Sequence, residues 1–197
     1  MSAGATARLF VAVDPPATVR EQLAAAALTG HRRRGAAAPL RVLEPQALHL
    51  TLCFLGARPV GEIEVIGAAL SACTAHVAEL SLGAPLWLPP RGPRALAVEV
   101  RDSGEGLARL HRSVSDAIAR ATSWEAERRG FKAHVTVART RGSVASRRDS
   151  APSWPALPAT PQASFTPTSV VLYRSWLSPA GASYEAIATR GLAAFDW

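Results

Sequence analysis

The sequence predicts an α+β fold, on three observations. The chain has 197 residues, 48% of them apolar and 19% charged, enough for the core of a single domain over 1–197. Short β-prone runs alternate with stretches of helical apolar spacing. The order helix, loop, histidine-bearing strand occurs twice, a weak internal duplication. Disorder is excluded for most of the chain by this composition. A spanning helix is excluded because no apolar run approaches about 18 residues. The 22 Lys+Arg exceed the 15 Asp+Glu, giving +7, and every basic residue but Lys132 is arginine. Such a balance suits a partner rich in phosphate. Cys53 and Cys73, without CxxC spacing, indicate neither a disulfide framework nor a zinc cluster. Met1 to Arg8 lacks a charged region leading into an apolar one, so a cytoplasmic protein is expected.

Arg8 to Val13 (RLFVAV) reads as a strand, and Asp14-Pro15-Pro16 starts a helix over Ala17 to Leu28 that ends near Gly30. His31 to Leu40, rich in Arg, Gly and Ala, reads as a loop. Leu48 to Leu55 is a strand closed by Gly56, and Val60 to Ala78 has helical spacing. Leu80 to Leu88 and Ala95 to Val100 are strands joined by a turn at Pro89 to Pro93. Gly106 to Ala121 is an amphipathic helix, with Leu107, Leu110, Val114 and Ile118 on one side. Phe131 to Ala138 is a strand. Residues 141 to 162, rich in Ser, Pro, Ala and Arg, form a long loop or a flexible segment. Ser164 to Tyr173 and Ser183 to Thr189 are the last strands.

Both histidine-bearing strands hold the same pattern, His49-Leu50-Thr51-Leu52 and His134-Val135-Thr136-Val137. Residues two apart in a strand share a face. His49 and Thr51 then point one way, while Leu48, Leu50, Leu52 and Phe54 point into a core. His134 and Thr136 likewise oppose Val135 and Val137. A polar pair on an apolar strand is costly unless its face lines a cleft. Two imidazoles across a cleft can divide general-base and general-acid work near neutral pH. The threonine hydroxyls can donate to phosphate oxygens between them. No carboxylate cluster or metal-ligand spacing accompanies the pair, so the chemistry is read as metal-free. With 12 Thr in 197 residues, a His followed by Thr two places on arises about once in sixteen by composition. One match is weak; two, each in an apolar strand after a helix, point to function.

The other histidines act as controls. His111 lies in a helical stretch, where residues two apart do not share a face, and reads as helix surface. His76 reads as a capping residue at a helix end, and His31 as part of a basic loop. The loops at 31–34 and 141–148 carry arginines suited to phosphate. The five Trp residues have no regular spacing, so they form no stacking platform.

These motifs resemble the 2H phosphoesterase superfamily, and within it the RNA 2′,3′-cyclic phosphodiesterases, historically called 2′-5′ RNA ligases. The resemblance runs through RLFVAV (8–13), LHLTL (48–52) with Phe54-Leu55-Gly56, FKAHVTVAR (131–139), Leu172 to Ser175 and Tyr184-Glu185. It implies two pseudo-symmetric lobes, each an antiparallel sheet backed by helices, with a central cleft. It implies His49 as proton donor to the departing 3′ oxygen and His134 as the proton acceptor that activates water. The product is then a 2′-phosphomonoester. Thr51, Thr136 and Arg139 would bind the phosphate, and Phe10 would lie near the base. No cofactor or metal is implied. The implied partner is RNA ending in a 2′,3′-cyclic phosphate, tRNA fragments included, with no membrane and a monomeric chain. Two positions depart from the family: Arg41-Val42-Leu43 stands where an aromatic is often found, and Ala133 where proline is common. Strict alternation sets Arg139 on the face opposite His134 unless the strand ends or bulges near Ala138.

Three other readings share these residues. The same site run backwards is a 2′-5′ RNA ligase. A 2H enzyme for cyclic nucleotides or ADP-ribose cyclic phosphate is a second. A non-catalytic RNA-binding module is the third, and two intact motifs argue against it.

Overall fold

The computed structural model describes residues 5–32, 40–73, 76–90, 94–127, 129–140, 160–178 and 181–192. Strand β1 (Thr6–Val13) leads to helix α1 (Ala17–Arg32), then β2 (Leu40–Val42), β3 (Leu50–Pro59) and α2 (Ile63–Ser71). β4 (Leu80–Leu88), β5 (Ala95–Arg101), α3 (Gly106–Ala121) and β6 (His134–Thr140) follow. β7 (Ser164–Phe165), β8 (Ser169–Ser178) and β9 (Gly181–Gly191) complete the order. The strands form one open sheet in the order β7-β4-β5-β6-β3-β1-β8-β9, with β2 on β6. Every pairing is antiparallel.

The sheet is two lobes joined by a narrow seam. One lobe is β3-β1-β8-β9 and the other is β7-β4-β5-β6 with β2; they meet through the single register pair Leu50–Val135. The duplication seen in the sequence is the repeat β1-α1-β3 and β5-α3-β6. The helices are exchanged across the seam: α1 contacts β2 and β6, while α3 contacts β3. Leu23 of α1, Ile66 of α2 and Leu110, Val114 and Ile118 of α3 enter one continuous core with Leu9, Val11, Leu50, Val98, Val135 and Leu172. Each of these is essentially sealed from solvent, and burial of such side chains is the main favourable term, about 1.5–3 kcal/mol apiece.

Several boundaries depart from expectation for local reasons. Helix α1 runs past Gly30 to Arg32, so His31 belongs to its last turn and not to a loop. The first strand of the site continues through Gly56 to Pro59; Gly56, at φ +71°, absorbs a register shift against Leu9–Phe10 rather than ending the strand. The helix expected to Ala78 stops at Ser71, preceded by a 3₁₀ turn over Val60–Glu62. His76 therefore lies in the segment leading to β4 and caps no helix. Leu40–Val42, expected as loop, is a strand because it finds an edge on β6. The strand expected over 164–173 is split into β7 and β8 by Thr166-Pro167-Thr168. The basic segments 33–34 and 141–148, the rest of the long loop to residue 159, Trp154 and Trp197 lie outside the described residues. Among the described residues no helix is long and apolar enough to cross a membrane.

Candidate active site

The seam is where the histidines are. Leu50 pairs with Val135, and the antiparallel sense sets Thr51 beside His134 and His49 beside Thr136. The backbone thus brings the two His-x-Thr segments together about a local two-fold axis. Each imidazole is held in the same way, by a carbonyl two residues earlier. His49 Nδ1 lies 2.9 Å from the Ala47 carbonyl oxygen, at the end of the 3₁₀ turn Pro45–Ala47. His134 Nδ1 lies 2.6 Å from that of Lys132. A carbonyl only accepts, so in both rings Nδ1–H donates and Nε2 is left for chemistry.

Both strands then bulge. On β6 the partners of Leu96 and Ala97 are Ala138 and Thr136, so Val137 is the extra residue. On β3 the partners of Val11 and Ala12 are Cys53 and Thr51, so Leu52 is extra. One added residue reverses which face the following side chains take. Consecutive residues Leu52 and Cys53 are accordingly buried, as are Val137 and Ala138. Arg139 is thereby carried to the face of His134 and Thr136. The expected core position of Phe54 is corrected by the same device: it is 40% exposed on the cleft face. Phe54 and Arg139 are equivalents under the two-fold.

Two cavities meet along Thr51, Phe54 and Arg139. The smaller, about 300 Å³, contains His49 with Phe10, Tyr184, Arg8, Arg41 and Arg139, and its lining holds no carboxylate. Arg41 and Arg139 are directly opposed on β2 and β6, an arrangement that costs energy through like-charge repulsion unless an anion lies between them. The Arg41 guanidinium passes so close over Gly181, at φ +133°, that a Cβ there would collide with it. The larger cavity, about 780 Å³, contains His134 with Phe131, His111, Arg94, Arg129 and Lys132. Thr136 lines neither.

The two imidazoles sit in unlike surroundings. His49 rests on an aromatic bed: Phe10 lies 4.7 Å away between ring centroids and Tyr184 meets it edge-on at 5.0 Å. Phe10 is itself stacked on Tyr173 at 5.1 Å and only 3% exposed, so its role is to support His49 rather than to offer an open face. Tyr173 donates its hydroxyl to Asp14 at 2.5 Å. Burial pushes the His49 imidazole down to about 4, while the Ala47 carbonyl and the Asp14 carboxylate oppose the shift and Arg139 and His134 add to it. His134 is less enclosed, at the mouth of the larger cavity. His111, expected on the helix surface, is partly buried and stacks on Phe131 at 4.6 Å. Its basicity is lowered mainly by that burial.

Tyr173 and Tyr184 belong to segments that carry the resemblance, but nothing in the sequence ties them to His49. Sequence reasoning misses Arg8, Arg41 and Phe54, and only the strand partners reveal them. Among the described residues no group of three His, Cys, Asp or Glu converges as a metal site.

Residues 9–176 match the 2′-5′ RNA ligase superfamily. The chain is 31% identical to the RNA 2′,3′-cyclic phosphodiesterase of Archaeoglobus fulgidus over 135 residues, 68% of this chain and 73% of the relative. Its structure is similar to TT0787 of Thermus thermophilus, with a TM-score of 0.72 and 26% identity over 94% of this chain and 97% of that one. E. coli LigT in its apo form shares the fold, with a TM-score of 0.73 and 22% identity over 95% and 98%. Taken with the paired His-x-Thr strands, these likenesses show that the chain belongs to the 2′-5′ RNA ligase superfamily.

Proposed function

We propose that the protein hydrolyses an RNA 2′,3′-cyclic phosphodiester to a 2′-phosphomonoester by His/His general acid–base catalysis, without a metal ion. One observation carries the reading: two His-x-Thr segments meet at Leu50–Val135 beside a cavity lined by three arginines and no carboxylate. The likeness to the Archaeoglobus fulgidus phosphodiesterase supports the substrate class.

In the proposed reaction the cyclic phosphate lies among Thr51, Thr136 and Arg139, with its ribose in the smaller cavity. His134 Nε2 removes a proton from water as the water oxygen attacks phosphorus. The P–O3′ bond breaks opposite, and O3′ takes the proton from His49 Nε2. Threonine hydroxyls and the Arg139 guanidinium hold the equatorial oxygens where charge accumulates. His49 must be charged to act as the acid, although burial favours its neutral form in the free protein. The bound phosphodiester supplies the missing counter-charge and raises its proton affinity, so substrate and proton are recruited together. Asp14, held by Tyr173, acts in the same direction.

The test is product analysis on an oligoribonucleotide ending in a 2′,3′-cyclic phosphate, with and without EDTA. A 2′-phosphate end formed at equal rates in both samples is expected. A 3′-phosphate end, unreacted substrate, or a rate abolished by chelation would overturn the proposal.

A further inference from the structure

Hydrolysis needs only a water molecule on the His134 side of phosphorus, yet the cavity there is the larger of the two, about 780 Å³ against about 300 Å³. A water's share of volume is about 30 Å³, whereas sites for small organic ligands run from about 300 to 1,000 Å³. The walls are chemically specific. Phe131, stacked on His111, and the exposed ring of Phe54 provide aromatic surface. The Arg8 guanidinium covers one face of Phe54 at 4.5 Å and lines only the smaller cavity, which leaves the other face to the larger. Arg94, Arg129 and Lys132, all exposed, stand in the lining with Glu127 as its carboxylate. Aromatic faces with surrounding cations recognise a planar base and its phosphate.

We infer that this cavity is a subsite for an entering nucleoside with a free 5′-hydroxyl, seated so that O5′ takes the place of the attacking water. The inference rests on the hydrolytic reading, whose in-line geometry sets the entering oxygen opposite the leaving one and therefore beside His134. The step balances without a co-reactant. The O5′–H proton passes to His134 Nε2, the O5′–P bond forms, the P–O3′ bond breaks, and O3′ takes the proton held by His49 Nε2. A 2′,5′-phosphodiester results. By microscopic reversibility the same walls hold the departing nucleoside when such a diester is cleaved.

The experiment measures how the cyclic phosphate partitions between water and an alcohol. The oligonucleotide is incubated with adenosine or with glycerol, and the initial ratio of 2′,5′-diester to 2′-monoester is read from each tube. Because both products come from one active site, a loss of overall activity cancels in the ratio. A ratio that saturates with adenosine but rises linearly with glycerol is expected. Phe131→Ala should lower the adenosine ratio at least fivefold at subsaturating adenosine, as expected for loss of one stacking surface, and Phe131→Trp should restore it. The glycerol ratio should not follow these changes. A ratio linear in adenosine, or one indifferent to Phe131→Ala, overturns the subsite while leaving hydrolysis standing. Absence of both products overturns the hydrolytic reading and the subsite with it.

Discussion

The strands β3 and β6 run the same course from His49 to Phe54 and from His134 to Arg139. Each begins with an imidazole tied to the carbonyl two residues before it. Each buries the next residue, presents a threonine, and bulges to bury two in succession. They differ at the last position, a phenyl ring against a guanidinium, and in what surrounds the histidine. One imidazole is packed into aromatic rings and the other stands at the mouth of a large cavity. Duplicated backbone supplies two equivalent reactive groups, and unlike surroundings supply a direction. Acid and base roles are set by those surroundings, because the hydrogen-bond anchors cannot distinguish them.

The largest expected effects test the equivalence. His49→Ala and His134→Ala should each lower kcat by about 10²–10⁴, and the double variant should fall little below the worse single one, since the two act as a unit. Strict additivity would show two independent contributions.

The threonines come next, and here the comparison should break. Thr51 lines both cavities and Thr136 neither. Thr51→Val should cost about 10²-fold in kcat, the scale of a lost transition-state donor, and Thr136→Val distinctly less. Equal losses would mean that the phosphate sits on the two-fold axis rather than towards His49.

Phe54 and Arg139 sharpen the contrast at the end of each strand. Arg139→Ala should lower kcat/KM about 10- to 100-fold for every cyclic phosphate, the worth of a charged hydrogen bond. Phe54→Ala should act mainly through KM and only where a base is present, which a cyclic phosphate of a plain diol would reveal.

A smaller effect concerns pH. His49 is needed protonated, so activity falls as pH rises through its pKa. That limb should lie near the depressed free value of about 4 in kcat/KM and at higher pH in kcat, where bound phosphate adds its charge. Asp14→Asn removes a group that raises the His49 pKa, and should move the kcat/KM limb lower still. Coincident limbs would refute substrate-coupled protonation.

The smallest is on stability. With a folded pKa of about 4 against 6.5, the unfolded chain binds the extra proton between those values. Stability contributed by a neutral His49 is thus complete above about pH 6.5 and lost as pH falls towards 4. Denaturant titrations of the protein and of His49→Gln should differ in this slope by a few kcal/mol at most.

The paired motif and the duplicated order of elements were legible because they depend on short-range spacing: position i+2 on a strand, apolar i+3 and i+4 on α3. The orientation of Arg139 and Phe54 was not, because alternation is reset by a bulge that exists only against the partner strands β5 and β1. β2 escaped notice for a related reason, since three residues after an Arg- and Ala-rich run become a strand only where an edge receives them. The bed beneath His49 is drawn from Phe10, Tyr173 and Tyr184, residues whose proximity is a property of β1, β8 and β9 lying side by side.

The exchange of helices across the seam has a consequence for tolerance to change. The lateral contact between the two sub-sheets is one residue pair, yet each histidine strand is propped from behind by a helix belonging to the opposite repeat. The helices work as crossed struts on a narrow joint. Trimming a core side chain of α3, such as Ile118, is felt first under β3 and hence in the spacing between the two imidazoles. In-line chemistry is sensitive to displacements of about an ångström, so such a change reaches turnover through alignment while the polar residues of the cleft stay untouched. Mutational sensitivity in this architecture is therefore not confined to the cleft, and the silent side of the sheet sets the precision of the working side.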